Sequence, residues 1–247
     1  MFFTKKKFLN LPKEHQHRKL SQILRKIWEA YPKHEELYNH YKELCDYAEI
    51  PFTPLSSYEQ ISNNYHNHLR QGNLSLKEHN LLQQIDQNDR KEALPLLPVN
   101  IYLDHIRSSH NIGSIIRTTE AFRLGKLYFC EQTANTKNKQ VQKTSMGTHD
   151  WLESTPMTSL ENLAKPLISL ETSSVSIPLK EFIFPKEFTL ILGNEEYGVS
   201  EKALRASDYC VRIPLCGRKN SLNVANAFAI TAQEIHYQLR EKKTLEE

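Results

Sequence analysis

Asn111, Arg117, Glu195, Ser221 and Asn223 are the side chains of this 247-residue chain whose types and settings best suit chemistry on a ligand. Each stands in a short patterned stretch: Asn111-Ile112-Gly113-Ser114-Ile115-Ile116-Arg117, Leu192-Gly193-Asn194-Glu195-Glu196-Tyr197-Gly198, and Asn220-Ser221-Leu222-Asn223-Val224. Arg117 has no acid after it until Glu120. Its guanidinium is either a surface cation or a fork for a phosphate or carboxylate. Gly193 directly follows an apolar run; it makes a plain turn or, lacking a Cβ, lets the backbone approach a ligand. Ser221 precedes an apolar helix and is either its N-cap or a polar group beside that helix's free amides. Arg218 and Lys219 in the loop before it suit RNA phosphates or an ordinary exposed turn.

Such residues need elements to hold them. Apolar runs predict strands at residues 99–103, 126–129, 167–170, 189–192 and 210–213. Between them fall helices at 111–123, near 158–165 and at 200–206, and a last helix burying Val224, Phe228, Ala232, Ile235 and Leu239. This alternation predicts an α/β fold with a parallel sheet covered on both faces. Ligands of such sheets lie outside the carboxyl ends of the strands. Residues 170–172, 193–198 and 214–222 all fall at such ends. No G-x-G-x-x-G spacing occurs, which excludes a dinucleotide fingerprint.

The first part of the chain is different. Gly72 is the only glycine before residue 113, and the pattern is helical throughout. Leu20, Ile23, Leu24, Ile27 and Trp28 make one apolar stripe; Leu37, Tyr41, Leu44, Cys45 and Ala48 make a second, ending before Pro51. A third helix is expected over 58–69, and a fourth opening at Ser75 and burying Leu81, Leu82 and Ile85. Pro95-Leu96-Leu97-Pro98 blocks helix continuation, so a small helical domain over 1–95 and an α/β domain over 96–247 are expected.

Composition sets bounds on all of this. The chain is 39% hydrophobic and 25% charged with a net charge of +3, values of an ordinary globular protein that allow nucleic-acid binding without requiring it. No apolar run approaches the ~20 residues of a membrane span, and the lysine-rich start lacks the features of a signal peptide. A cytoplasmic protein is expected. Cys45, Cys130, Cys210 and Cys216 have no C-x-x-C spacing, and seven histidines before residue 80 have no matching cysteine, so reduced thiols and no metal are expected.

Taken together and in order, the three stretches resemble the signature motifs of the SpoU-type (TrmH-like) RNA ribose 2'-O-methyltransferases of the SPOUT superfamily. N-x-G-x-x-x-R is met at 111–117, L-G-x-E-x-x-G at 192–198, and I-P-[ML]-x-G running into S-L-N-V at 213–224. Glu196 stands where glycine is frequent and Ala225 where serine is common. The resemblance implies an α/β knot, with a C-terminal trefoil built where the chain threads a loop. It implies S-adenosylmethionine as cofactor, held by Leu170, Glu171, Thr172, Gly193, Asn194, Gly198, Ile213, Leu215 and Leu222. It implies a homodimer with the active site at the subunit interface, and a tRNA or rRNA substrate whose ribose 2'-hydroxyl attacks the sulfonium methyl. Arg117 would be the central catalytic residue, with Asn111, Glu195, Ser221 and Asn223 shaping the site. A guanidinium stays protonated at neutral pH, so orientation and charge stabilisation suit Arg117 better than proton removal. The helices of 1–95 would then serve RNA binding. The alternative is a catalytically inactive RNA-binding protein on the same fold.

Overall fold

The computed structural model describes residues 3–74, 81 and 92–241. The chain divides into two compact units, residues 1–84 and 85–247. The helix expected from Ser75 lies almost wholly outside the described residues.

In the first unit four helices follow one another: α1 (Lys5–Leu9), α2 (Lys13–Ala30), α3 (Glu35–Tyr47) and α4 (Tyr58–Gln71). Leu20, Ile23, Leu24 and Ile27 of α2 recur at helical spacing and are all buried, with Phe8, Tyr41, Leu44, Ile61 and Leu69 completing the core. Ser57 caps α4 by accepting from the Gln60 amide at 3.2 Å. The core also encloses a polar chain. His68 shares hydrogen bonds of 2.8 Å with His17 at Nδ1 and with the Tyr41 hydroxyl at Nε2. Burial, reinforced by the neighbouring His17, pushes the His68 imidazole down to about 4. A neutral imidazole has one donor and one acceptor, which is what two such partners require.

The second unit is a seven-stranded parallel sheet. Its elements are β1 (Val99–Leu103), α5 (Ser109–Ala121), β2 (Leu127–Phe129), α6 (Lys139–Ser145), β3 (Ser154–Thr155), β4 (Leu167–Leu170), β5 (Ile177–Pro178), β6 (Phe188–Leu192), α7 (Glu201–Ala206), β7 (Tyr209–Arg212) and α8 (Val224–His236). The strand order is β3-β2-β1-β6-β4-β7-β5, every pair parallel. Thus β6 enters between β1 and β4, and β7 between β4 and β5, although those partners precede them in the chain. The central strands are mostly apolar because both faces are covered, with one polar residue each, Asn100, Thr189 and Ser169. Val99, Ile101 and Leu103 of β1 pack in one core with α5 and α8, whereas Tyr102 points to a second core with Leu160, Leu163 and Ala203. Pro178 sits in the edge strand, where a missing amide costs no ladder bond.

Several local expectations change. The helix near 158–165 is only a 3-10 turn, Leu160–Asn162; Pro156 and Pro166 bound the stretch too closely for more. The helix expected to reach Arg123 stops at Ala121, and Arg123 takes a left-handed backbone (φ 51°) that ends it. The strands β3 and β5 are two residues each, too short to leave a sequence pattern. Helix α6 is also new; only Val141 in it is strongly apolar, and it begins because Asn138 Oδ1 accepts from the Gln140 and Val141 amides at 2.9 and 3.3 Å. In the last helix, Val224 and Leu239 are half-buried rather than buried.

Candidate active site

A cleft of about 610 Å³ lies where β4, β6 and β7 end. Residues 170–172, 192–198, 212, 213, 215, 219–224 and 227 line it. The nine residues singled out as cofactor contacts are all among them.

Two glycines shape the middle wall. A Cβ on Gly193 would collide with the Val199 amide and the Gly198 carbonyl. The bareness of Gly193 thus admits the loop's own return. Asn194 and Gly198 then exchange backbone hydrogen bonds of 2.8 and 3.0 Å. Gly198 has φ +76°, and a Cβ there would strike the Glu171 carboxylate. Glu171 braces this turn from β4: Oε2 accepts from the Val199 amide at 2.9 Å and Oε1 from the Thr172 amide at 2.8 Å. Asn194 is buried and committed too. Its Nδ2 donates to the His105 carbonyl at 2.6 Å, and its Oδ1 accepts from the Glu196 amide at 2.8 Å.

Glu195 points the other way, onto the start of α5. Its carboxylate accepts from the Arg107 amide (3.1 Å), the Ser108 amide (3.0 Å) and Asn111 Nδ2 (2.9 Å). Burial pushes the Glu195 carboxyl up, but these donors, Asn111 foremost, outweigh it and hold the group below the usual carboxylate range. Asn111 Oδ1 in turn accepts from Asn223 Nδ2 at 3.0 Å. Asn223 Oδ1 accepts from the Ala225 and Asn226 amides at 3.0 and 3.3 Å, so Asn223, not Ser221, is the N-cap of α8. An ionised carboxylate only accepts, so Glu195 dictates which way both amides face. The result is one directed chain from the cap of α8 to Asn111 to Glu195, joining three segments up to 112 residues apart in sequence.

Arg117 stands outside this chain. It is exposed on the outer face of α5, forms no ion pair or hydrogen bond among the described residues, and does not line the cleft. Ser221 lines the cleft on a loop, residues 214–223, in which every residue is exposed. Leu215 and Leu222 present apolar surface there, 36% and 42% exposed. Lys219 also lines it.

Asp104 and His105 escaped sequence reasoning. Asp104 is buried; its Oδ2 accepts from the Ser200 amide at 2.7 Å and its Oδ1 bonds His105 Nδ1 at 2.7 Å. His105 takes a left-handed backbone (φ 58°) and gives its own amide to Cys130 Sγ at 3.1 Å. Asp104, His105 and Cys130 lie within 4.8 Å of one another, and their bonds to each other and to Ser200 brace the loop before α5. A lone Asp-His after a strand leaves no signal of this role in sequence.

The model of the SpoU rRNA Methylase family matches residues 98–233, more than half of the chain. The chain belongs to the SpoU family. An uncharacterized tRNA/rRNA methyltransferase of Synechocystis is 30% identical over 162 residues, 62% of this chain and 41% of that one. The tRNA (guanosine(18)-2'-O)-methyltransferase of Aquifex aeolicus is 29% identical over 150 residues, 58% of this chain and 70% of that one. The crystal structure of the SpoU methyltransferase AviRb from Streptomyces viridochromogenes in complex with the cofactor AdoMet shares the fold, with a TM-score of 0.52 at 24% identity over 65% of this chain and 63% of that one. The chain thus spans less than two thirds of the Synechocystis protein and of AviRb. The SpoU match begins just before β1 and contains the whole Asn223–Asn111–Glu195 chain, with the segments that line the cleft. The helices α1 to α4 fall outside it. No helix of the described residues is long and apolar enough to cross a membrane.

Proposed function

We propose that this protein is an S-adenosylmethionine-dependent RNA methyltransferase acting in the cytoplasm on a ribose 2'-hydroxyl of tRNA or rRNA. The observation that carries the reading is the hydrogen-bond chain Asn223–Asn111–Glu195, which binds the three family motifs into one support beside the strand-end cleft. The cleft fits the cofactor. Leu215 and Leu222 leave apolar surface exposed for a purine ring, and Ser221, Asn220 and the backbone of 193–198 supply polar groups around it. Bound there, S-adenosylmethionine supplies an electrophilic methyl group.

The chain's own residues do the rest. Glu195, Asn111 and Asn223 direct most of their hydrogen bonds to one another and to the starts of α5 and α8, which they fix relative to the cleft floor; one N–H of each amide is left over for a ligand. Arg117, exposed and without a polar partner among the described residues, can fork its guanidinium onto an RNA phosphate, holding the ribose hydroxyl in place and offsetting the charge it develops. Because Arg117 lies outside the cleft of its own chain, a homodimer in which it serves the partner's cleft completes the site. Apolar surface on α8, which packs against α5, and on the turn that follows it supports this: Ile230 and Tyr237 are 45% and 40% exposed. The strand order, with β6 and β7 inserted between earlier strands, supports a knotted C-terminal trace, an exception to the usual avoidance of knots. Residues 1–95 form the RNA-binding extension in this reading, with Lys5, Lys6 and Lys7 exposed on α1.

The test is methyl transfer from radiolabelled S-adenosylmethionine into total RNA, separated by size and digested to nucleosides. A labelled 2'-O-methylnucleoside is expected, and its size class and base name the substrate. Label on a base would overturn the ribose assignment. Neither cofactor binding nor incorporation would favour an inactive RNA-binding protein, whereas cofactor binding without incorporation would point to a missing substrate or partner.

A further inference from the structure

We infer that the outer face of α6, with the loop before it and Trp151 after it, is a second RNA contact: a lysine track that holds backbone phosphates and an indole that stacks on an unpaired base. The inference rests on the RNA reading above. Residues 132–149 contain no Asp or Glu but carry Lys137, Lys139 and Lys143. None of the three lysines forms an ion pair among the described residues, whereas Lys126, Lys165, Lys180 and Lys202 of the same unit all do. Lys137 and Lys139 are exposed and Lys143 is half-buried. Lys139 and Lys143 are four apart and share one face of α6, while Val141, Thr144 and Ser145 form the buried face.

The segment is built to hold that face still. Thr144 Oγ1 donates to the Ser109 carbonyl of α5 at 2.8 Å, and a Cβ on Gly113 would collide with Thr144. The motif glycine therefore lets α6 lie directly on the helix that bears Arg117. After α6, left-handed Met146 and Gly147 turn the chain, Ser145 Oγ bonds His149 Nδ1 at 2.8 Å, and the Thr148 hydroxyl donates to the Ser145 carbonyl at 2.7 Å. Trp151 follows this pinned turn and is 44% exposed. Cations with no ion pair among the described residues, on a helix pinned to α5 and followed after one turn by an exposed indole, match single-stranded RNA, where phosphates meet lysines and bases stack on aromatic rings. A buried protein partner would instead leave three lysines to be desolvated without acids.

The experiment compares the full-length protein with Lys137→Gln/Lys139→Gln/Lys143→Gln, with Trp151→Ala and with the control Lys186→Gln. Binding to unfractionated tRNA and to a single-stranded oligoadenylate is titrated at several salt concentrations, and S-adenosylmethionine affinity is measured in parallel. The triple variant is expected to lower the slope of log affinity against log salt by about 2, as three lost phosphate contacts on a single strand would. Trp151→Ala is expected to weaken oligoadenylate binding about tenfold with the slope unchanged, one lost stacking contact. Cofactor affinity and melting temperature stay as in the parent, and Lys186→Gln changes nothing. A triple variant with the parental slope, on a parent that binds RNA, overturns the track and leaves the proposed function standing. A parent that binds neither RNA overturns both.

Discussion

In the first unit the rings His17, Tyr41 and His68 bond to one another; in the second a set of carboxylates and an amide bond to loop backbone. His68 spends both nitrogens on His17 and Tyr41, inside a helical core. Asp104, Glu171, Asn194 and Glu195 accept from, or donate to, peptide groups of the turns that follow β1, β4 and β6. One arrangement stabilises a bundle; the other fixes the edges of a cleft. Polar bonding is therefore a matter of fold integrity in the first unit and of cleft geometry in the second, and changes to each should separate accordingly.

The largest effect tests whether chemistry resides only in the second unit. Arg117→Ala is expected to lower methyl transfer by at least about 10²- to 10³-fold, the usual loss of a transition-state donor. Cofactor affinity should stay within a few fold and the melting curve should not move, because Arg117 is exposed and unpaired among the described residues. Near-normal single-turnover rates would remove it from the mechanism. Next comes Gly193→Ala, whose Cβ meets backbone that cannot step aside. A loss of about 1–3 kcal/mol in urea unfolding and loss of cofactor binding in calorimetry are expected, with the first unit's transition unaffected.

A pH titration should do the reverse and single out the first unit. His68 is held neutral to about 4 by burial and by His17, and His17 is itself lowered by burial. With folded values below the ordinary 6.5, the unfolded chain binds the extra protons. The stabilisation is therefore complete above pH 6.5 and is lost as pH falls towards 4. For His68 it is worth roughly 3 kcal/mol at most. Imidazole signals in NMR would follow it directly; an ordinary titration near 6.5 would mean that the ring chain does not form in solution.

The smallest effect is the most discriminating. Asn223→Asp keeps an acceptor for the Ala225 and Asn226 amides, so helix α8 should be no less stable, while Asn223→Ala should cost about 1 kcal/mol as a lost cap. Yet an aspartate has no donor for Asn111 Oδ1. Slower methyl transfer in Asn223→Asp at unchanged stability would establish the directed chain as more than a cap. Equal rates would reduce Asn223 to its capping role.

Much of the fold was legible because the signals were local. The runs 99–103 and 167–170 read as strands and are strands, since a parallel strand covered on both faces is largely apolar along its length. The α2 and α3 stripes read as helices for the same reason of periodicity. Helix α6 was not legible: its sequence is mostly polar, and its stability comes from the Asn138 cap and from contact with a glycine on another helix.

For the candidate site, the residue types and their order along the chain were in the sequence, and they sufficed to point to the family and to put the patterned residues at the strand ends, where the cleft lies. Which residue caps α8, why Gly193 and Gly113 must be bare, and that Asn223, Asn111 and Glu195 form one chain were decided only by tertiary structure. The physical reason is the same in each case. A hydrogen bond between residues 84 or 112 positions apart, or a collision avoided between two helices, leaves no mark on the local periodicity of either segment.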